Sequence, residues 1–138
     1  PVELLPRLHD WPERLDALLR ERANQPFDWG LHDCCTFCAD AVMAITGVDV
    51  MGPLRRRYQS AAEALALTQE LGGLKAAVTG VLGEPCNPAL CTVGDVLLLS
   101  NDGREVVALC NGASAIVTGP HGLIAVTAPD VLAAWRVA

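Results

Sequence analysis

The sequence predicts an α+β domain in which helices come first and an antiparallel β-meander follows. Three observations carry this. Apolar residues keep helical spacing through most of the chain up to Leu82. From Val96 onward, apolar runs of strand length replace them. Asn101-Asp-Gly103 and Asn111-Gly112 separate those runs, and both are tight-hairpin chemistry.

Each element follows in order. Asp10 ahead of Trp-Pro-Glu reads as an N-cap with proline in the first turn. Trp11, Leu15, Leu18 and Leu19 then fall on one face of a helix running to about Ala23, which Asn24-Gln-Pro26 stops. A second helix opens near Asp33. Cys34, Phe37, Cys38, Ala41, Val42 and Ile45 keep its spacing and Gly47 ends it, so it is expected to be buried on most sides. Residues 48–59 read as an irregular loop broken by Gly52-Pro53. Ser60 caps a third helix to Leu71, closed by Gly72-Gly73, and Leu74 to Leu82 forms a short fourth. Gly83 to Pro88 is a turn-rich connection. Strands are expected at Val96–Ser100, Glu105–Leu109, Ser114–Thr118 and Leu123–Val126, with Pro129 to Trp135 as a short helix or a last strand.

A chain of 138 residues fits one domain, here 1–138. It divides into an N-terminal helical extension (1–26), a helical half (27–91) and a sheet half (92–138). A domain of this size buries roughly 70% of its unfolded surface and needs no staples. Its 16 acidic residues against 10 Lys and Arg give a net charge of −6, which argues against a nucleic-acid surface. Arg55-Arg56-Arg57 is the one basic run and reads as a solvated loop or helix start. No apolar run reaches the roughly 18 residues of a membrane helix, so no membrane insertion is expected. Glu3, Arg7, Asp10 and Glu13 interrupt any signal-peptide core, so export by its own signal is not expected either.

Three of the six cysteines stand within five residues, in Phe27-Asp-Trp-Gly-Leu-His-Asp-Cys-Cys-Thr-Phe-Cys-Ala-Asp-Ala-Val42. Cys35-Thr-Phe-Cys38 has the spacing of half a zinc site, and Cys86 and Cys91 supply a looser second pair. The first pair, however, lies inside a helix without the loop that a zinc knuckle needs. No metal or other cofactor is therefore expected. Cys34 and Cys35 are adjacent and poorly placed to pair with each other. Cys35, Cys38 and Cys110 suit core packing as small hydrophobes. Cys34 differs. At the first turn of the second helix, unpaired N–H groups and the helix dipole favour its thiolate over the free thiol, whose pKa is about 8.5.

A thiol at the head of a buried helix, with an antiparallel sheet downstream, is the layout of papain-like enzymes, whose sheet supplies a histidine base. Asp33-Cys34-Cys35-Thr36-Phe37 resembles the Asp-Cys-Ser-Gly-Leu nucleophile motif of NlpC-type cell-wall peptidases, and Gly94-Asp-Val-Leu-Leu-Leu99 resembles their Gly-Asp-Leu-Val-Phe-Phe strand. Three features together are similar to a small family of unknown function encoded in phage and prophage tail-gene clusters. They are Trp29-Gly30-x-x-Asp33-Cys34 with Ala39-Asp40-Ala41-Val42, then Gly94-Asp95-Val96, then Ala134-Trp135-Arg136-Val137. The resemblance covers residues 25–138 and implies a papain-like, NlpC-type fold.

The same resemblance implies Cys34 as the nucleophile. In the peptidases, His-Val-Gly-Ile-x-x-Gly carries the base. Counting back from Gly112 puts that slot on Val106, which accepts no proton, while Glu105 is expected to face the wrong side of the strand. His121 lies near the peptidases' third polar position, and its turn equally suits an exposed histidine. His32 adjoins the cluster but precedes the helix, where it caps or hydrogen-bonds the loop. His9 looks incidental. Cys34, His121 and His32 are thus the candidate catalytic residues. Losing a positioned base removes commonly about 10²–10⁴-fold of rate. The expectation is a structural component of a phage tail tip or hub with a degenerate NlpC-like fold. The alternative is an active peptidase or amidase cleaving peptidoglycan peptides during phage entry. Other tail-tip or hub proteins, and peptidoglycan, are the implied partners. The implied location is the virion, after synthesis in the host cytoplasm.

Overall fold

The computed structural model describes residues 6–138; residues 1–5, the start of the expected N-terminal segment, lie outside the described residues. Helix α1 spans Trp11–Arg22 and buries Leu15. Asp10 holds the N-cap position, yet its backbone (φ −104°, ψ 24°) is not extended, and its carboxylate makes no cap. It accepts instead from Arg14 Nε at 2.9 Å, one turn along.

Helix α2, Cys34–Thr46, is the centre of the molecule. Phe37, Ala41 and Ile45 are fully buried along it, and each large apolar side chain so placed contributes about 1.5–3 kcal/mol. Gly47 ends it in the left-handed region at φ 81°, where its N–H donates to the Met43 carbonyl. A 3₁₀ turn at Gly52–Arg56 occupies part of the expected loop. Helix α3, Ala61–Glu70, starts at Ser60, whose hydroxyl accepts from Glu63 N–H at 3.1 Å. Helix α4, Leu74–Leu82, runs between Gly73 and Gly83. A second 3₁₀ turn, Pro88–Leu90, leads into the sheet.

The strands are β1 (Val96–Asn101), β2 (Arg104–Asn111), β3 (Ser114–Gly119), β4 (Gly122–Thr127) and β5 (Asp130–Trp135). The alternative of a closing helix is thereby settled in favour of a strand. Among the described residues the architecture is α+β, with four α-helices and one five-stranded antiparallel sheet ordered β4-β3-β2-β1-β5. The last strand crosses back to pair with β1, from Val96 opposite Trp135 to Ser100 opposite Asp130, with an irregularity between Leu98 and Leu99.

Strand side chains alternate between two buried faces. Val96, Leu98, Val107, Leu109, Ala133 and Trp135 face α2. Leu97, Leu99, Ala108, Cys110, Val117 and Ala134 form a second cluster, onto which Cys86 and Cys91 fold from the connection before β1. Burial on both faces explains why Val96-Leu-Leu-Leu reads as an unbroken apolar run. The segment before α1 is fixed in turn: Leu8 N–H donates to the Ile45 carbonyl at 2.8 Å, and Arg7 donates from Nε to the Val137 carbonyl at 2.8 Å.

Candidate functional site

The site starts with Asp33. Its backbone is extended (φ −111°, ψ −178°), which turns the carboxylate onto the head of α2. Oδ1 accepts from Cys35 N–H and Thr36 N–H, each at 2.9 Å, while Thr36 Oγ1 accepts from Asp33 N–H at 2.8 Å. This is a capping box with threonine in the place usual for Glu or Gln. Oδ2 accepts from Gly30 N–H at 2.9 Å and from the Tyr58 hydroxyl at 2.7 Å. Gly30 is required there: its φ is +82°, and a Cβ would sit 2.4 Å from the Tyr58 carbonyl oxygen. Burial above all, then the Asp33 carboxylate, pushes the Tyr58 phenol far up, so it stays a donor.

Cys34 therefore occupies the first turn of α2, half-buried, with its sulfur 4.0 Å from that of Cys35. A hydrogen bond from the Cys35 thiol holds Cys34 below the ordinary thiol range against burial, and the Val107 backbone N–H adds to this. Cys35 is pushed well up by that same pairing and by burial, and Cys38 by burial. Of the three thiols, Cys34 is the one whose pKa the surroundings lower.

All three line a groove of about 630 Å³ between α2, the α3–α4 hairpin and the β1–β2 edge. Its walls are largely apolar, from Val42, Met51, Leu67, Val78 and Val107. Trp29, 38% exposed, also lines it. The charged side chains that reach it are Asp33, Arg104 and Glu105.

The strand facing Cys34 departs from expectation. Leu98 pairs with Val107 and Leu99 with Val106. The Asp102-Gly103 turn, with φ 52° and 77°, fixes that register. It places Val107 against α2 and turns Val106 to the opposite cluster. Glu105, expected on the wrong side, shares the groove with Cys34 and Val107. The position opposite the thiol is therefore Val107, one residue from the expected Val106. It is still a valine.

Neither candidate histidine joins the thiol. His32 is fully buried beside α1 and α2, its Nδ1 3.4 Å from Arg22 Nη1 and its ring edge-on to Phe37 at 5.8 Å between centroids. Burial first, then the Arg22 charge, lowers its pKa, so the imidazole is held neutral. Its Nε2 has no hydrogen-bond partner among the described residues. His121 is exposed in the two-residue turn between β3 and β4. No imidazole is among the groove-lining residues. No group of three His, Cys, Asp or Glu side chains among the described residues converges as a metal site.

One cluster escaped the sequence reading. Asp40 pairs with Arg22 (2.8 Å) and Arg55 (2.7 Å), and Arg55 Nε donates to both Asp49 oxygens at 3.1 Å. The Arg55 Nη2 is at ion-pair distance from Asp40 but off hydrogen-bond alignment. Arg55, read as solvated, is thus an internal tie between α2 and the 3₁₀ turn. Alternation of charge with apolar neighbours in Ala39-Asp40-Ala41 was the available hint. Asp95 is likewise architectural, accepting from Thr92 N–H, Val137 N–H and Arg7.

A family model described as Domain of unknown function (DUF6950) matches residues 6–137. The chain belongs to this family. The DUF6950 match takes in both halves of the groove, from the Asp33-Cys34 cap to β5. No curated protein matches the chain. Among the described residues, no helix of this DUF6950 member is long and apolar enough to cross a membrane.

Proposed function

We propose that this chain is a catalytically silent, papain-like domain of the NlpC type that serves as a structural component of a phage tail tip or hub. The observation that carries the silent half is the thiol's company. Cys34 has the capped helix, the groove and a lowered pKa, but the strand opposite offers Val107 and the groove holds no imidazole. Asp33, the carboxylate beside it, is engaged by the Gly30, Cys35 and Thr36 amides and the Tyr58 hydroxyl, which leaves it capping the helix rather than orienting a base. Acyl transfer by a thiol needs a group to take and return the proton, and the imidazole that papain-like enzymes use for this is not among the residues lining the groove. The tail-tip setting rests on the sequence resemblance and on the three motifs that carry it.

A second reading is a peptidoglycan-cleaving cysteine peptidase or amidase. The lowered pKa of Cys34, in a groove large enough for a ligand, favours it. Digestion of purified peptidoglycan separates the two. The silent reading expects no new muropeptides from the wild-type chain; fragments released by the wild type and abolished by Cys34→Ser would overturn it. Imaging of labelled chain in assembled particles tests the tail-tip setting, and a chain found only outside particles would refute it.

A further inference from the structure

The second face of the sheet carries a feature independent of the groove. Residues 86–95 cross it as a strap. One end is fixed by Cys86 N–H donating to the Ala134 carbonyl at 2.7 Å. At the other end Gly94 N–H donates to the Cys110 carbonyl (3.0 Å), and Cys110 N–H to the Asp95 carbonyl (2.8 Å). The middle is held less: Leu90 is 62% exposed and Val93 36%. At that middle, Cys91 folds inward. Its sulfur lies 3.7 Å from the sulfur of Cys110, a buried residue of β2.

We propose that Cys91 and Cys110 are a dithiol that closes to an intramolecular disulfide under oxidising conditions, pinning the strap to β2. The sulfurs already touch, and closing to a bond of about 2.05 Å asks the least-held part of the strap to move by little more than 1.6 Å. Other sulfur pairs are poorer. Cys34 and Cys35 are 4.0 Å apart but successive in a helix, so joining them distorts the first turn that Asp33 caps.

Glutathione disulfide is a sufficient oxidant. The half-exposed Cys91 loses its proton and its thiolate attacks one glutathione sulfur, forming a mixed disulfide and releasing one glutathione thiolate. Cys110, having given its proton to solvent, attacks the Cys91 sulfur and releases the second. Two protein thiols are oxidised and one glutathione disulfide is reduced to two thiols. Burial, foremost, and the neighbouring Cys110 push Cys91 up to about 11. Thiolate is therefore scarce at neutral pH, and closure quickens with each unit of pH below that value.

Peptide mapping tests the proposal. The folded chain is incubated with glutathione disulfide at about pH 8.5, blocked with iodoacetamide and digested with trypsin without reduction. Cleavage after Lys75, Arg104 and Arg136 separates Cys91 (in 76–104) from Cys110 (in 105–136). The expected product is these two peptides joined, lighter by two hydrogens than their sum. The link survives in Cys86→Ser and disappears in Cys91→Ser, a half-exposed position where folding is retained. A link spanning 19 residues raises the thermal midpoint by roughly 10 °C, and dithiothreitol reverses the rise. Glutathione left on Cys91 with no cross-link, a cross-link that persists in Cys91→Ser, or a midpoint lowered by oxidation would each overturn it.

Discussion

His32 sits beside the cysteine cluster in sequence, and the fold sends it elsewhere. It packs on Phe37, and its Nδ1 faces the guanidinium of Arg22, a neighbour that disfavours a second positive charge. Its folded pKa is lowered, so between that value and about 6.5 the unfolded chain binds more protons than the folded one. Stability from this residue is full above about pH 6.5 and is lost as pH falls through that window. The loss is at most about 1.4 kcal/mol per pH unit. Urea midpoints at pH 7.5 and 5 are expected to drop for the wild type and to drop less for His32→Gln. Parallel profiles for the two proteins would remove His32 as the cause. Asp40, Asp33 and Asp28 oppose the shift without reversing it. Within one residue of the motif, then, a histidine that reads as a candidate base is a buried packing group.

At the scale of elements, stability is uneven. Helix α2 and strand β1 are buried along most of their length and β2 along half of it, from Val107 to Cys110, whereas α3 buries Leu67 and α4 buries Val78. The α3–α4 hairpin roofs the groove with few buried apolar groups to hold it. Its amides are expected to exchange with deuterium well before those of α2 and β1–β2, because opening a lightly packed unit costs less than global unfolding. Equal protection across the two would show the groove to be closed by a rigid wall. The same contrast explains what the sequence disclosed. Caps and turns are local chemistry, so Ser60, Gly47, Asn101-Asp-Gly103 and Asn111-Gly112 mark their boundaries to within a residue or two. Asp10 shows the limit, because a neighbouring arginine took its carboxylate. Register is less legible: counting from a distant glycine put Val106 opposite Cys34, and the hairpin turn settled on Val107. Long-range partners were illegible. Nothing near Asp33 in sequence announces Tyr58, twenty-five residues on, and nothing near Asp40 announces Arg55.

For the molecule as a whole, Arg7 is the residue that closes the chain on itself. Its guanidinium donates to the Val137 carbonyl, the Val93 carbonyl and Asp95 Oδ1, at 2.8, 2.8 and 3.1 Å, and lies 4.4 Å over the Trp11 ring. Asp95, 2% exposed, holds the Val137 N–H as well, so one ion pair joins the start of the described chain, the turn before β1 and the residues after β5. Gly94 keeps the space open, since a Cβ there would lie 3.0 Å from Arg7 Nη1 and from Ile45 Cδ1. Removing the cation leaves a buried carboxylate with amide partners but no counter-charge, and such losses cost about 3–5 kcal/mol. Arg7→Ala is expected to fall in that range by urea unfolding, with little relief from added salt because the pair is shielded from solvent. Arg7→Lys keeps the charge but not the fork, so it recovers the attraction to Asp95 without reaching both carbonyls, and lands between the two. A lysine variant as stable as the wild type would mean that charge alone holds this junction. An alanine variant within about 0.5 kcal/mol of wild type would mean that this junction is held by the Leu8 and β5 pairings instead. Because α1 follows Arg7 by a few residues and buries Leu15 in the same core as α2, the segment expected to be an N-terminal helical extension packs into the body of the fold.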